Sequence, residues 1–146
     1  MEFIVDKPGL QRMYIDFLKK AGYEPEIEAQ GDIAFSHKNM WFCIEIYDED
    51  LDFGRLCLMI ETEFDEERIF YAYIAASEVS GRFKLTKSYI RNGNIKSDKQ
   101  FIVFAIGFLL NHPDDFKKNL ERMLDEMLGA YQEFNEVMKK IGTNEK

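Results

Sequence analysis

The sequence predicts an α+β fold: a five-stranded antiparallel sheet with three helices, in the order α-β-β-β-α-β-β-α. Two patterns predict it. In three separate segments apolar residues recur at the three- and four-residue spacing of one helix face. Between them, apolar and polar residues alternate with a period of two, as in a half-buried strand. The first three strands follow one another as a meander, so helices covering an antiparallel sheet are expected. With 146 residues, the chain has the size of one domain, residues 1–146, whose core needs no disulfide or metal.

The first helix spans about residues 8–21. Leu10, Met13, Phe17 and Leu18 share a stripe with Tyr14 beside them, and Gly22 follows Lys19-Lys20-Ala21 as a stop signal. Ile33 and Phe35 then alternate with Ala34 and Ser36, and Lys38-Asn39 reads as a tight turn. Phe42, Ile44 and Ile46 alternate with Trp41, Cys43, Glu45 and Tyr47. In the third strand Leu56, Leu58 and Ile60 alternate with Arg55, Cys57, Met59 and Glu61. The apolar sets must share a face, because a one-residue slip would turn them outward. Pairing Phe35 with Phe42 and Ile46 with Leu56 achieves this.

Acids at Asp65, Glu66 and Glu67 crowd the start of a second helix, where the helix dipole favours them. Ile69, Tyr73, Ala76 and Ser80 form its expected inner stripe, with Phe70 and Ser77 nearby. Ala72 and Ala75 add to the small residues that permit close packing, and the helix ends near Gly81. Strand four spans Phe83 to Ile90, followed by a turn at Arg91-Asn92-Gly93-Asn94. Strand five, Phe101 to Leu110, is apolar on both faces and should be covered on both. Asn111-His112-Pro113-Asp114-Asp115 begins the last helix with a polar cap, a proline and acids. Its stripe of Phe116, Leu120, Met123, Met127, Tyr131, Phe134, Met138 and Ile141 makes it about 40 Å long at ~1.5 Å per residue. That is longer than one small sheet needs. Thr143 to Lys146 should fray.

The net charge of −8 repels phosphate backbones, so nucleic acid and anionic membranes are poor partners, while a basic partner is favoured. Met1 to Asp6 carries acids where a secretory signal needs bases. The longest apolar run, Phe101 to Leu110, is too short to span a bilayer. A cytoplasmic protein with reduced thiols is expected.

Few residues look like chemistry. Asp48, Asp50 and Asp52 alternate before Gly54, as oxygen ligands do in an EF-hand loop. The sixth position of such a loop would be Phe53 and the twelfth Met59, where glycine and glutamate belong. A strand turn is the better reading, since Asp bonds its own backbone and Gly accepts positive φ. A small-molecule or metal-binding regulator using this acidic turn remains the alternative. Cys43 and Cys57 fall on one sheet face, diagonal in the expected register, where a disulfide is awkward; free, buried thiols are expected. His37 and His112 show no zinc-ligand spacing with them. Residues Gly93 to Lys99, "GNIKSDK", form neither a Walker loop nor a dinucleotide fingerprint. Glu45, diagonal to Arg55, reads as an ion pair. A small enzyme would need Glu45, His37 or Cys43 to converge in a pocket. No catalytic residue, cofactor or metal ligand is assigned.

The second sheet face is more informative. Trp41, Tyr47, Cys57 and Met59 are too apolar for a wet surface, and Glu45, Arg55 and Glu61 too polar for a dry core. Trp, Tyr, Met and Arg are enriched at protein interfaces. Trp41, Tyr47, Arg55 and Met59 are the expected partner-binding residues.

From the first helix through strand four, the sequence resembles the YbjN-like family, a group associated with bacterial sensory-transduction regulation. The residues that carry the resemblance are "FLKKAGYEPEIEAQGDIAFSHKNMWFCIEIYDEDLDFGRL" and "AASEVSGRFKLTKSYI". Within them, Gly22-Tyr23 follows a helix, Gly31-Asp32-Ile33-Ala34-Phe35 opens a strand, and an acidic turn precedes Phe53 and Leu56. The match covers roughly residues 10–110. The resemblance implies the fold of type III secretion chaperones and a non-catalytic role in binding or regulation; it supplies no catalytic residues. The resulting expectation is a cytoplasmic protein-binding module, chaperone-like or regulatory, acting on a protein partner or client as a homodimer.

Overall fold

The fold is described from a computed structural model over residues 6–92, 99–110 and 112–144. The chain forms α1 (Lys7–Lys20), β1 (Glu26–Ile27), β2 (Ile33–His37), β3 (Met40–Ile46), β4 (Phe53–Thr62), α2 (Glu66–Arg82), β5 (Lys87–Asn92), β6 (Gln100–Leu109) and α3 (Pro113–Asn144). It is an α+β protein with one six-stranded sheet ordered β1-β2-β3-β4-β6-β5. The expected count of five strands was short by β1, whose two residues are too few to show a period of two. The expected turn at Gly93-Asn94, most of "GNIKSDK", the Asn111 cap and the last two residues lie outside the described residues.

The residues group into two compact units, Met1–Leu58 with Gly107–Arg122, and Met59–Ile106 with Met123–Lys146. In the first, Asp6 caps α1 by accepting from the Gly9 amide at 2.8 Å. The helix buries Leu10, Tyr14 and Leu18. Its aromatic side chains hold the start of α3: Tyr14 and Phe17 meet the Phe116 ring edge-on, at 5.0 and 5.7 Å between centroids. The chain leaves α1 through Gly22 at φ +96°, a left-handed conformation that glycine adopts without strain. Lys38 and Asn39 both take positive φ, the primed turn that suits the twist of a two-residue hairpin.

Register follows the alternation. Phe35 faces Phe42, their rings stacked at 5.8 Å. Ile33, Phe35, Phe42, Ile44, Leu56 and Leu58 are all buried, each contributing about 1.5–3 kcal/mol of apolar burial. The β3–β4 register differs from expectation: Ile46 pairs with Gly54, and Leu56 with Ile44. The acidic turn is tighter than the sequence suggested, which shifts β4 by two residues. Even-numbered slips preserve the faces, so the apolar set stays inward. Gly54 is therefore not a turn residue. It lies in β4, where a Cβ would stand 2.5 Å from Phe108 Cζ. Gly107 on β6 reciprocates, since a Cβ there would meet Phe53 at 3.1 Å. Each Phe occupies the space above the other strand's glycine.

In the second unit, Asp65 caps α2 by accepting from the Arg68 amide at 2.7 Å. The helix buries Ala72, Ala75, Ala76 and Val79. The expected inner stripe was thus rotated: Tyr73 and Phe70 face solvent, because the small residues let the helix backbone lie close to its neighbours and leave no room for rings. Ser88 on β5 donates to the Ala76 carbonyl at 2.6 Å, and its amide donates to Ser80 Oγ at 2.8 Å. The fourth strand starts at Lys87 rather than Phe83, because α2 runs on to Arg82 and residues 83–86 make the connection. Thr86, almost fully buried, donates to Glu126 Oε2 of α3 at 2.6 Å. Phe104 of β6 packs against Tyr131 and Phe134 of α3 at 5.7 and 6.0 Å. Residues 102–106 of β6 are buried on both faces, as expected, while Leu109 is exposed. Helix α3 contributes residues to both units, which accounts for its length.

Candidate functional site

The outer face of the first unit's β3 and β4 gathers the side chains singled out in sequence. Glu45 stands directly opposite Arg55, and Cys43 directly opposite Cys57, not diagonally; both corrections follow from the two-residue shift of β4. One carboxylate oxygen organises the cluster. Glu45 Oε1 accepts from Arg55 Nε at 2.6 Å, from the Tyr47 hydroxyl at 3.0 Å and from Cys57 Sγ at 3.4 Å. The expected Glu45–Arg55 ion pair is present. Both side chains are about a quarter to a third exposed, so its contribution to stability is modest.

The thiols are free and chemically quiet. Burial, reinforced by the Glu45 charge, pushes Cys57 up to about 12. Burial also raises Cys43, followed by its bond to Glu28 at 3.3 Å. Tyr47 is pushed up to about 12 by burial and by its hydrogen bond to Glu45. A nucleophile or a general base needs a shift in the other direction or a value near neutrality. His37 Nδ1 is 3.1 Å from the Tyr23 hydroxyl, Cys43 bonds Glu28, and Glu45 bonds Arg55.

The acidic stretch forms a hydrogen-bonded turn. The Asp50 amide donates to the Tyr47 carbonyl and the Phe53 amide to the Asp50 carbonyl, each at 3.1 Å. Asp48 pairs with Lys7 of α1 at 3.0 Å. Among the described residues, no group of three or more His, Cys, Asp or Glu side chains is placed to hold a metal ion.

Of the expected contact residues, Trp41 is 58% exposed, whereas Tyr47 and Arg55 are half-buried in the Glu45 cluster. Met59, half-buried on β4, belongs to the second unit. Sequence reasoning missed a second surface. On α2, Phe70, Tyr73 and Ile74 are 70%, 48% and 49% exposed, and all lie on the helix face opposite Ala72, Ala76 and Val79. Exposed Ser77 and Gly81 continue the same face toward the C-terminus, and a Cβ on Gly81 would meet nothing within 4 Å. The signal was available in the sequence, since four small or β-branched residues at 72, 75, 76 and 79 already complete one helix face.

This fold and these surfaces describe a small α+β protein that presents apolar side chains on an otherwise acidic exterior. The crystal structure of YbjN, "a putative transcription regulator from E. coli", is similar to it with a TM-score of 0.66 over 97% of each chain. Identity is 10%, so the likeness is one of fold. No protein-family model matches the chain, and no curated protein does. Among the described residues, no helix is long and apolar enough to cross a membrane.

Proposed function

We propose that the chain is a non-catalytic, cytoplasmic regulatory module that binds protein and acts as a homodimer through α2. The exposed Phe70-Tyr73-Ile74 stripe carries this reading. A second copy is its best occupant, because the helix face is self-complementary about a two-fold axis. In an antiparallel pair of α2 helices, Phe70 of one copy falls on bare Gly81 of the other, and Ile74 falls on Ser77. The same arrangement sets Asp65, Glu66 and Glu67 of each copy near the exposed Lys84 of its mate. At about 150–250 Å² per aromatic side chain, the stripe offers on the order of 300 Å² of apolar surface per copy. A stable interface buries about 800 Å² per partner, so the stripe would be only its apolar centre, with the charged ends as its rim. The YbjN likeness supports a regulatory role, and the raised thiols and engaged Glu45 support a non-catalytic one. Trp41, Tyr47, Arg55 and Met59 are the candidates for contact with the regulated protein, in a chaperone-like or regulatory mode.

Sedimentation velocity across a range of concentrations tests the dimer. The wild-type chain should sediment as a dimer. Phe70→Glu and Gly81→Leu should each drive it to monomer with an unchanged far-ultraviolet circular dichroism spectrum, since neither position is packed within the chain, and should remove any concentration dependence of the thermal midpoint. A wild-type monomer at every concentration, or a dimer indifferent to both substitutions, overturns the reading.

A further inference from the structure

The second unit holds a cavity of about 760 Å³ that the sheet-face and α2 surfaces do not involve. It opens between the end of β4, the start of β6, the first turn of α2 and the last turns of α3. Its volume falls within the ~300–1,000 Å³ usual for small-molecule sites. Ile60, Phe64, Ile102, Phe134 and Met138 supply an apolar lining. Ile102, Phe134 and Met138 are buried, and Phe134 is held by its packing on Phe104, so this wall is pre-formed. Polar groups are set apart on Arg68, Asn135, Lys139 and Thr143.

The charges of the cavity do not balance. Glu61, its one lining carboxylate, is paired with Lys99 at 3.0 Å. Lys139 lies 3.6 Å from Glu136. The Arg68 guanidinium has no ion pair among the described residues. The exposed Arg68 side chain, at the polar side of a hollow whose other side is apolar, offers an anionic head group a bidentate partner.

We propose that this cavity binds an amphipathic anion, an unbranched aliphatic carboxylate whose chain lies along Ile60, Ile102, Phe134 and Met138 and whose head group meets Arg68. Neither the dimer nor the sheet face is needed for it.

Decanoate, kept below its micelle concentration, is the probe, compared with decanol and decyltrimethylammonium by calorimetry and by methyl NMR. Decanoate should bind most tightly of the three and shift the methyl signals of Ile60, Ile102 and Met138. Arg68→Gln should weaken decanoate roughly five- to tenfold, the scale of one partly solvated charged contact, and leave decanol unchanged. Gly142→Phe should block all binding. Gly142 lines the cavity, and a Cβ there meets nothing within 4 Å, so the ring can occupy the mouth without disturbing the fold. Absence of decanoate binding, equal binding of all three amphiphiles with Arg68→Gln indifferent, or methyl shifts located elsewhere overturns the assignment.

Discussion

Replacing Gly54 with alanine tests the interlocked Phe-Gly pairs of β4 and β6. The added methyl would lie 2.5 Å from Phe108 Cζ, 2.7 Å from Cε2 and 3.2 Å from the Tyr14 hydroxyl. Carbon atoms rest at about 3.5–4.0 Å, so the Phe108 ring must retreat by about 1 Å. It has little freedom to do so, because it packs at 5.5 Å on Phe116, which Tyr14 and Phe17 already meet edge-on. Overpacking of this kind costs about 1–3 kcal/mol. Removing a glycine from a strand returns about 0.5–1 kcal/mol of backbone entropy, because Gly54 does not use a positive φ. Taking the middle of each range, the net expectation is a loss of about 1 kcal/mol, or roughly 2–4 °C of thermal midpoint at this length. Urea denaturation reads the change as a lower midpoint with an unchanged slope. Phe108→Leu in the same chain should recover part of the loss, so the double-mutant cycle should be non-additive. An alanine variant as stable as wild type, or an additive cycle, would refute the steric account.

The buried polar groups supply three more tests. At about pH 8, a thiol pushed from 9 to about 12 carries on the order of a thousandfold less thiolate. Native Cys57 should therefore alkylate with iodoacetamide far more slowly than the urea-unfolded chain, and equal rates measured by mass spectrometry would contradict its placement. The same shift sets a pH dependence. Because the folded value lies above the unfolded one, the stabilisation is complete below about pH 9 and is lost as pH rises toward 12; the urea midpoint should accordingly fall between about pH 8 and pH 11. Glu126→Ala strands the buried Thr86 hydroxyl, which donates to it at 2.6 Å. A loss of about 1–3 kcal/mol is expected, with Glu126→Gln retaining part of it, as measured by urea denaturation.

Much of the fold was legible because alternation and helical spacing are local signals. The hairpin turn at Lys38-Asn39, the inward set of Phe42, Ile44, Leu56 and Leu58, and the α3 stripe all lie where the pattern put them. What was not legible depends on distant neighbours. The β3–β4 register slipped by two because both registers bury the same residues, and alternation cannot separate them. Gly54 looked like a turn glycine because Phe108, the reason for it, is far away in sequence. β1 was invisible because it exists only as a partner to Ile33 and Ala34. The candidate surfaces were half legible. Trp41 was recognised by residue type, whereas Tyr73, with Phe70 nearby, was placed on the Ile69-Ala76-Ser80 stripe, although Ala72, Ala75, Ala76 and Val79 complete the buried face. The Arg68 cavity had no sequence signal, since its lining comes from four separate elements.

The brevity of β1 bears on how the chain behaves when crowded. An outermost strand that is long and flat is a template for fibril growth, because its free amides and carbonyls recruit strands from other molecules. Here the strand outside β2 engages only Glu26 and Ile27, one of them charged. A docking strand would find little more than two residues of regular backbone before the chain turns away. Short as it is, β1 occupies the edge of β2 only at Ile33 and Ala34, and extending it with β-branched residues should make the protein more prone to precipitate.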